Sequence, residues 1–249
     1  MNCPTWLDLN EASLVPPLGT RQAPDLGPAA IMVSTPADFK LFQAAMAPDR
    51  TVPFFLGRLI SENKGVSAAG PFLGAPYAAM LMESLKAKGA GRIIMLGWCG
   101  ALSDNLQTGD LIVPDQALVD EGTSRHYAVL DPDVPESGPD KDLSLSLAAH
   151  LLDQGLACTG GTVWTTDAIY RETPKKVAWF KSQGAIAVEM ECSALFSVAA
   201  FLNIQVTALL VVSDSLAAGT WDPGFKKQRF KTARQDACRA VLSFARTLV

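Results

Sequence analysis

From about residue 29 to its end, the chain alternates short, wholly apolar runs with stretches whose apolar residues recur at helical spacing. The run Ala30-Ile31-Met32-Val33 predicts a strand, and residues 37–46 predict a helix. Residues 65–69 read as a second strand, followed by a glycine- and proline-rich turn from Gly70 to Pro76. Helical spacing over residues 77–88 stops at Gly89, the residue type that ends helices in a left-handed conformation. Residues 92–97 and 111–114 read as buried strands, the second after the turn Thr108-Gly109-Asp110. The proline-rich stretch 131–140 reads as a loop and 143–152 as a helix. Strands follow at 162–166 and 185–188, a helix at 191–202, and the last long strand at 206–213. Everything from Asp222 onward reads as one amphipathic helix.

Strands that are apolar throughout, alternating with helices, belong to sheets covered on both faces. The predicted fold is therefore α/β: a single domain over residues 29–249, with a central, mostly parallel, mixed and twisted sheet flanked by helices. Residues 1–28 hold Pro4, Pro16, Pro17, Pro24 and Pro28 and little periodicity, so they read as an irregular N-terminal arm. Its apolar members Trp6, Leu7, Leu14 and Val15 are expected to pack on something, such as a neighbouring subunit. Ligands of such sheets bind beyond the carboxyl ends of the strands. That directs attention to the polar clusters at 34–38, 97–100, 165–171, 189–191 and 213–215.

Composition narrows the class further. With 49% hydrophobic and 18% charged residues among 249, the chain can fill a large core without a metal or disulfide. A net charge of −4, with no basic stripe before the last helix, makes nucleic acid an unexpected partner. Cys3, Cys99, Cys158, Cys192 and Cys238 are dispersed and only His126 and His150 accompany them, so free thiols in a reducing cytoplasm are expected and no metal site is. The N-terminus lacks the pattern of a signal peptide, and apolar runs such as 206–212 are too short to span a bilayer. The cluster Lys226, Lys227, Arg229, Lys231 and Arg234 reads as the solvated face of the last helix.

Three strand ends carry candidate chemistry. Ala187-Val188-Glu189-Met190-Glu191 runs from a strand into a helix with two carboxylates around a methionine. One glutamate in a first helical turn is ordinary, since the helix dipole stabilises it; two at one sheet edge suit a ligand rich in hydroxyls, because carboxylates accept what a sugar diol donates. Val211-Val212-Ser213-Asp214-Ser215 places an acid at the tip of the most apolar strand. Partial burial there raises a carboxyl pKa toward that of a general acid, whereas the plainer reading is a turn residue. Leu96-Gly97-Trp98-Cys99-Gly100-Ala101 adds glycines at a strand end.

In order and spacing these segments resemble the purine and uridine phosphorylase family, part of the nucleoside phosphorylase and nucleosidase superfamily. The resemblance runs from about Ala30 to the last helix. It includes Gly74 and Pro76, Gly97 to Ala101, Thr108 to Asp110, Gly122 to Tyr127, Thr166-Asp167 with Tyr170, Val188 to Glu191, and Ser213-Asp214. It implies a nucleoside phosphorylase fold, cleavage of the bond between a base and its sugar, and a homo-oligomer. It implies that Glu191, with Glu189, holds the ribose hydroxyls and that Met190 packs under the sugar. Asp214 takes the place of the acid that protonates a purine, so a purine base is favoured over a pyrimidine. Ile169 or Tyr170 stands where an aromatic stacks on the base, Arg171 has no exact counterpart in the purine enzymes and is a candidate contact for base oxygens, and Trp98, Cys99 and Gly100 line the substrate site.

The phosphate site of the family is where this chain departs. Ser34 and Asp38 stand where phosphorylases have a glycine and an arginine, Met95 replaces a second arginine, and Trp98 replaces a hydroxyl residue. Arg50, Arg58, Lys40 and Arg92 are the cations available to compensate. Asp38 falls near the place of the acid that activates water in hydrolytic relatives; its plainer reading is an exposed first-turn residue. No cofactor is expected beyond phosphate as a co-substrate. Phosphate and water both stay open as acceptor, and a non-catalytic nucleoside-binding protein is the competing class.

Overall fold

The computed structural model describes residues 9–63 and 65–249. The chain begins with irregular turns, and the first strand, β1, spans Ala29–Val33 and is buried throughout. Helix α1, Pro36–Met46, starts where Thr35 accepts a bond from the Asp38 amide, with a proline in its first turn. A hairpin of β2 (Arg50–Phe54) and β3 (Gly57–Ser61) follows, then β4 (Ser67–Gly70) and α2 (Ala75–Ala87). The long strands β5 (Arg92–Ala101) and β6 (Leu111–Asp120) precede the short β7 (Glu136–Ser137). Next come α3 (Lys141–Asp153), β8 (Cys158–Thr166), α4 (Pro174–Ser182), β9 (Ala185–Glu189) and α5 (Cys192–Leu202). The chain ends with β10 (Gln205–Ser215), β11 (Asp222–Pro223) and α6 (Gln228–Arg246).

All the strands join one mixed sheet in the order β11-β10-β6-β8-β9-β5-β1-β4-β3-β2, with β7 on β6. Because β10 also pairs with β5, the strands β5, β10, β6, β8 and β9 close into a ring. The long ladders, β5 with β10 and β6 with β8, are parallel; the hairpin and the pairings of β9 with β5 and β10 with β6 are antiparallel. One core lies under α2 and α5, around Met82, Leu85, Leu195 and Phe196. The other lies under α1, α3 and α6, around Phe42, Leu147, Val241 and Phe244.

Three expectations need correction. The β2–β3 hairpin and α4 carry no clear apolar period: β2 is largely exposed, and α4 buries only Phe180. Asp222 does not open the last helix, because residues 222–223 pair with β10. Glu191 precedes α5 rather than starting it. Trp6 and Leu7 lie outside the described residues, while Leu14 and Val15 are 99% and 80% exposed, as an arm without cover from the described residues would be. The arm is tied down further along, where the amides of Asp25 and Leu26 bond to the Lys88 carbonyl and the Asp25 carboxylate pairs with Lys88 and Arg50.

Candidate active site

A cavity of about 470 Å³ opens beyond the carboxyl ends of β1, β5, β9 and β10, a size within the roughly 300–1,000 Å³ of small-ligand sites. Glu189, Met190 and Glu191 line it where β9 turns into α5. Both glutamates are 4% exposed. Glu189 Oε1 accepts the Thr165 hydroxyl, and its Oε2 accepts the amides of Glu191 (2.7 Å) and Cys192 (2.8 Å). Glu189 thus caps α5; burial raises its carboxyl above the ordinary range, and the bonds from Thr165, Glu191 and Cys192 oppose that rise. Glu191 receives one bond, from the Gly74 amide at 2.5 Å. Gly74 reaches it with φ +82°, a conformation glycine adopts without strain. Burial, then the Glu189 charge, pushes the Glu191 carboxyl well above its ordinary range. Of the two, Glu191 accepts the fewer hydrogen bonds and so keeps the greater capacity to accept more.

Asp214 lines the same cavity from the end of β10. The β10–β5 ladder shifts register between Val212 and Asp214, so the strand bulges and re-aims the side chain. Asp214 faces Gly100 in that ladder, and a Cβ on Gly100 would lie 3.2 Å from its Oδ2. The Ser213 hydroxyl donates to Asp214 Oδ1 at 2.5 Å, and the Trp221 indole N–H to Oδ2 at 2.9 Å. Beside it stands Glu172, which follows the one-turn helix at Ile169–Arg171. Burial and then the Asp214 charge push Glu172 up to about 7. Sequence reading missed Glu172, Trp221 and Phe225; the polar cluster after β8 had been ended one residue short of Glu172. Cys99 lines the cavity too, but burial pushes its thiol far up, so it is no nucleophile.

Ile169 and Tyr170 form part of the mouth and are 51% and 96% exposed, while Arg171 is exposed and does not line the cavity. Asp38 departs most from expectation. It is 1% exposed, which overturns its reading as a surface residue. Its Oδ1 accepts Arg234 Nε (2.8 Å) and Nη2 (2.6 Å); its Oδ2 accepts the Trp98 indole (2.7 Å) and the Thr35 hydroxyl (2.9 Å). With both oxygens taken and no place on the cavity wall, it is not arranged to activate water. Arg234 correspondingly leaves the solvated face assigned to it, and its guanidinium lies 4.8 Å from the Trp98 ring centre. Lys40, Arg50, Arg58 and Arg92 do not line the cavity; Arg50 pairs with Asp25, and Arg92 bonds to Gln205 and the Leu248 carbonyl.

Comparison with known proteins gives this geometry a family. The family model for the phosphorylase superfamily matches residues 28–246. A guanosine phosphorylase of Halorubrum lacusprofundi is 30% identical over 148 residues, covering 59% of this chain and 60% of that protein. A purine nucleoside phosphorylase of the DeoD type from Caldanaerobacter subterraneus is 26% identical over 172 residues, covering 68% and 72%. The purine nucleoside phosphorylase of Toxoplasma gondii, solved with immucillin-H, superposes with a TM-score of 0.77 at 20% identity, covering 96% of this chain and 98% of that one. The chain belongs to the phosphorylase superfamily and has its fold.

Proposed function

We propose that the protein cleaves the N-glycosidic bond of a purine nucleoside. The observation that carries this is one cavity whose wall holds both a hydroxyl-accepting carboxyl group, Glu191, and a separate acid, Asp214. Glu191 fixes the ribose diol, Met190 packs under the ring, and positive charge grows on the sugar as the bond loosens. Asp214 gives the departing base its proton, help typically worth roughly 10²- to 10⁴-fold. Both named relatives act on purines by their descriptions, which supports the purine assignment. Phosphate is the acceptor that those same descriptions favour.

Water is the second reading, favoured by the charge of the cavity. Its ionisable carboxyl groups are Glu172, Glu189, Glu191 and Asp214, and no Lys, Arg or His lines it among the described residues. An anionic co-substrate would meet repulsion there. Liquid chromatography of free base released from a nucleoside panel, with and without phosphate, tests both readings. Release that needs phosphate excludes water; release without it favours water. Binding with no release under either condition overturns the enzyme and leaves a nucleoside-binding protein. We also propose a homo-oligomer, supported by the exposed Leu14, Val15, Leu73 and Tyr170; a monomer in sedimentation at micromolar concentration would refute it.

A further inference from the structure

A second hollow, of about 520 Å³, adjoins the first. The two share Glu172, Leu216 and Trp221 as common walls. Trp221 bonds to Asp214, so the hollow adjoins the part of the main cavity that Asp214 lines, where the base would leave on the reading above. Glu191, on the sugar side, borders only the first cavity. The far side of the hollow is the face of α4 that carries Val177, Ala178 and Lys181. Its surface is mainly apolar, and the Lys181 ammonium makes no ion pair among the described residues.

A bare nucleoside has no use for this space, since the main cavity, with Glu191 and Asp214 on its wall, is about 470 Å³ and is of the size that holds small ligands. What reaches it from a bound nucleoside is a group attached to the outer edge of the base. Flat or branched apolar groups match walls made of Val177, Ala178, Leu216 and the Trp221 ring. We propose that the second hollow is an accessory subsite that accepts an apolar substituent on the base, so that base-substituted purine nucleosides are substrates alongside the unsubstituted ones. This rests on the reading of the main cavity as a nucleoside-cleaving site.

The test compares adenosine with N6-benzyladenosine, and guanosine with O6-benzylguanosine, in the wild type and in Ala178→Trp. Ala178 is exposed on α4 and borders only the second hollow, so the variant fills that space without touching the main cavity. The wild type is expected to process a benzylated compound within about 10-fold of its parent in kcat/KM. Ala178→Trp should cut kcat/KM for the benzylated compound by about 10-fold or more and leave the parent unchanged, in line with the discrimination of filled apolar pockets. Cleavage of the parents with rejection of both benzylated compounds overturns the proposal, as does an equal loss on both in the variant. Should no nucleoside release its base, the cleavage reading fails by itself. Calorimetric binding of the same four compounds then decides the subsite: selective weakening of the benzylated ones in Ala178→Trp supports it, and any other pattern overturns it.

Discussion

Removing the guanidinium of Arg234 should destabilise the protein far more than an ordinary surface charge would. In Arg234→Ala, the Asp38 carboxylate keeps the Trp98 and Thr35 donors on one oxygen but loses both bonds to the other, at a position 1% exposed. Breaking a buried pair on one side costs about 3–5 kcal/mol, because a charge is left without compensation. Loss of the contact with the Trp98 ring adds to the effect. At about 2–4 °C per kcal/mol for a domain of this length, Tm should fall by about 6–20 °C. Thermal and urea unfolding measure it, and raising salt from 0.05 to 0.5 M should change the difference little, since buried pairs are weakly screened. Adding Asp38→Asn removes the stranded charge, so the double variant should lose less than the two single losses combined. A loss below about 1 kcal/mol for Arg234→Ala, the range of exposed pairs, would refute the buried arrangement. Asp38→Asn alone, assayed well below its Tm, should keep base release within about 10-fold, because the chemical step of a general base is typically worth about 10²-fold or more. A larger loss would return Asp38 to the reaction.

Glu191→Ala should abolish ribonucleoside cleavage while leaving the circular dichroism of the fold intact, and near-normal turnover would remove Glu191 from the site. Asp214→Asn keeps shape but supplies no proton, so its rate on an ordinary purine nucleoside should fall by about 10²-fold or more. On a nucleoside whose base leaves without protonation the loss should be much smaller; equal losses would make Asp214 a structural residue. Glu172 has a folded-state pKa raised from 4.5 to about 7. The folded protein therefore loses stability relative to Glu172→Gln as pH rises from about 4.5 through about 7, and the difference levels off above that. A Tm difference between the two proteins that is constant from pH 4.5 to 8 would contradict it.

What the sequence disclosed followed from how strongly burial patterned it. β1, β5 and β10 are nearly wholly buried, so their apolar runs stood out, and the polar residues that end them stood out in turn. Glu191 and Asp214 were legible for that reason. The β2–β3 hairpin was not, because β2 is short, largely exposed and interrupted by Pro53. Helix α4 escaped because tertiary position, not an apolar stripe, holds a segment that buries only Phe180. Glu172 sits in a polar turn, where nothing local separates a cavity wall from a surface loop. The role of Asp38 was beyond any local reading: its partner Arg234 lies 196 residues further on, and only the packing of α6 against α1 joins them.

The ladder that seats Asp214 opposite Gly100 begins by pairing Gln205 with Arg92, segments separated in the chain by β6, β8, β9 and the helices between. The ring of strands cannot shut until the last of these has been made and brought back, so a nascent chain lacking β10 has no Ser213 or Asp214 on the cavity wall. Closing so long a loop costs only slowly more with length, but non-local pairing of this kind folds slowly. Until it closes, the apolar faces of β5 and β6 stand without their shared neighbour, and that interval is when the chain is most exposed to aggregation.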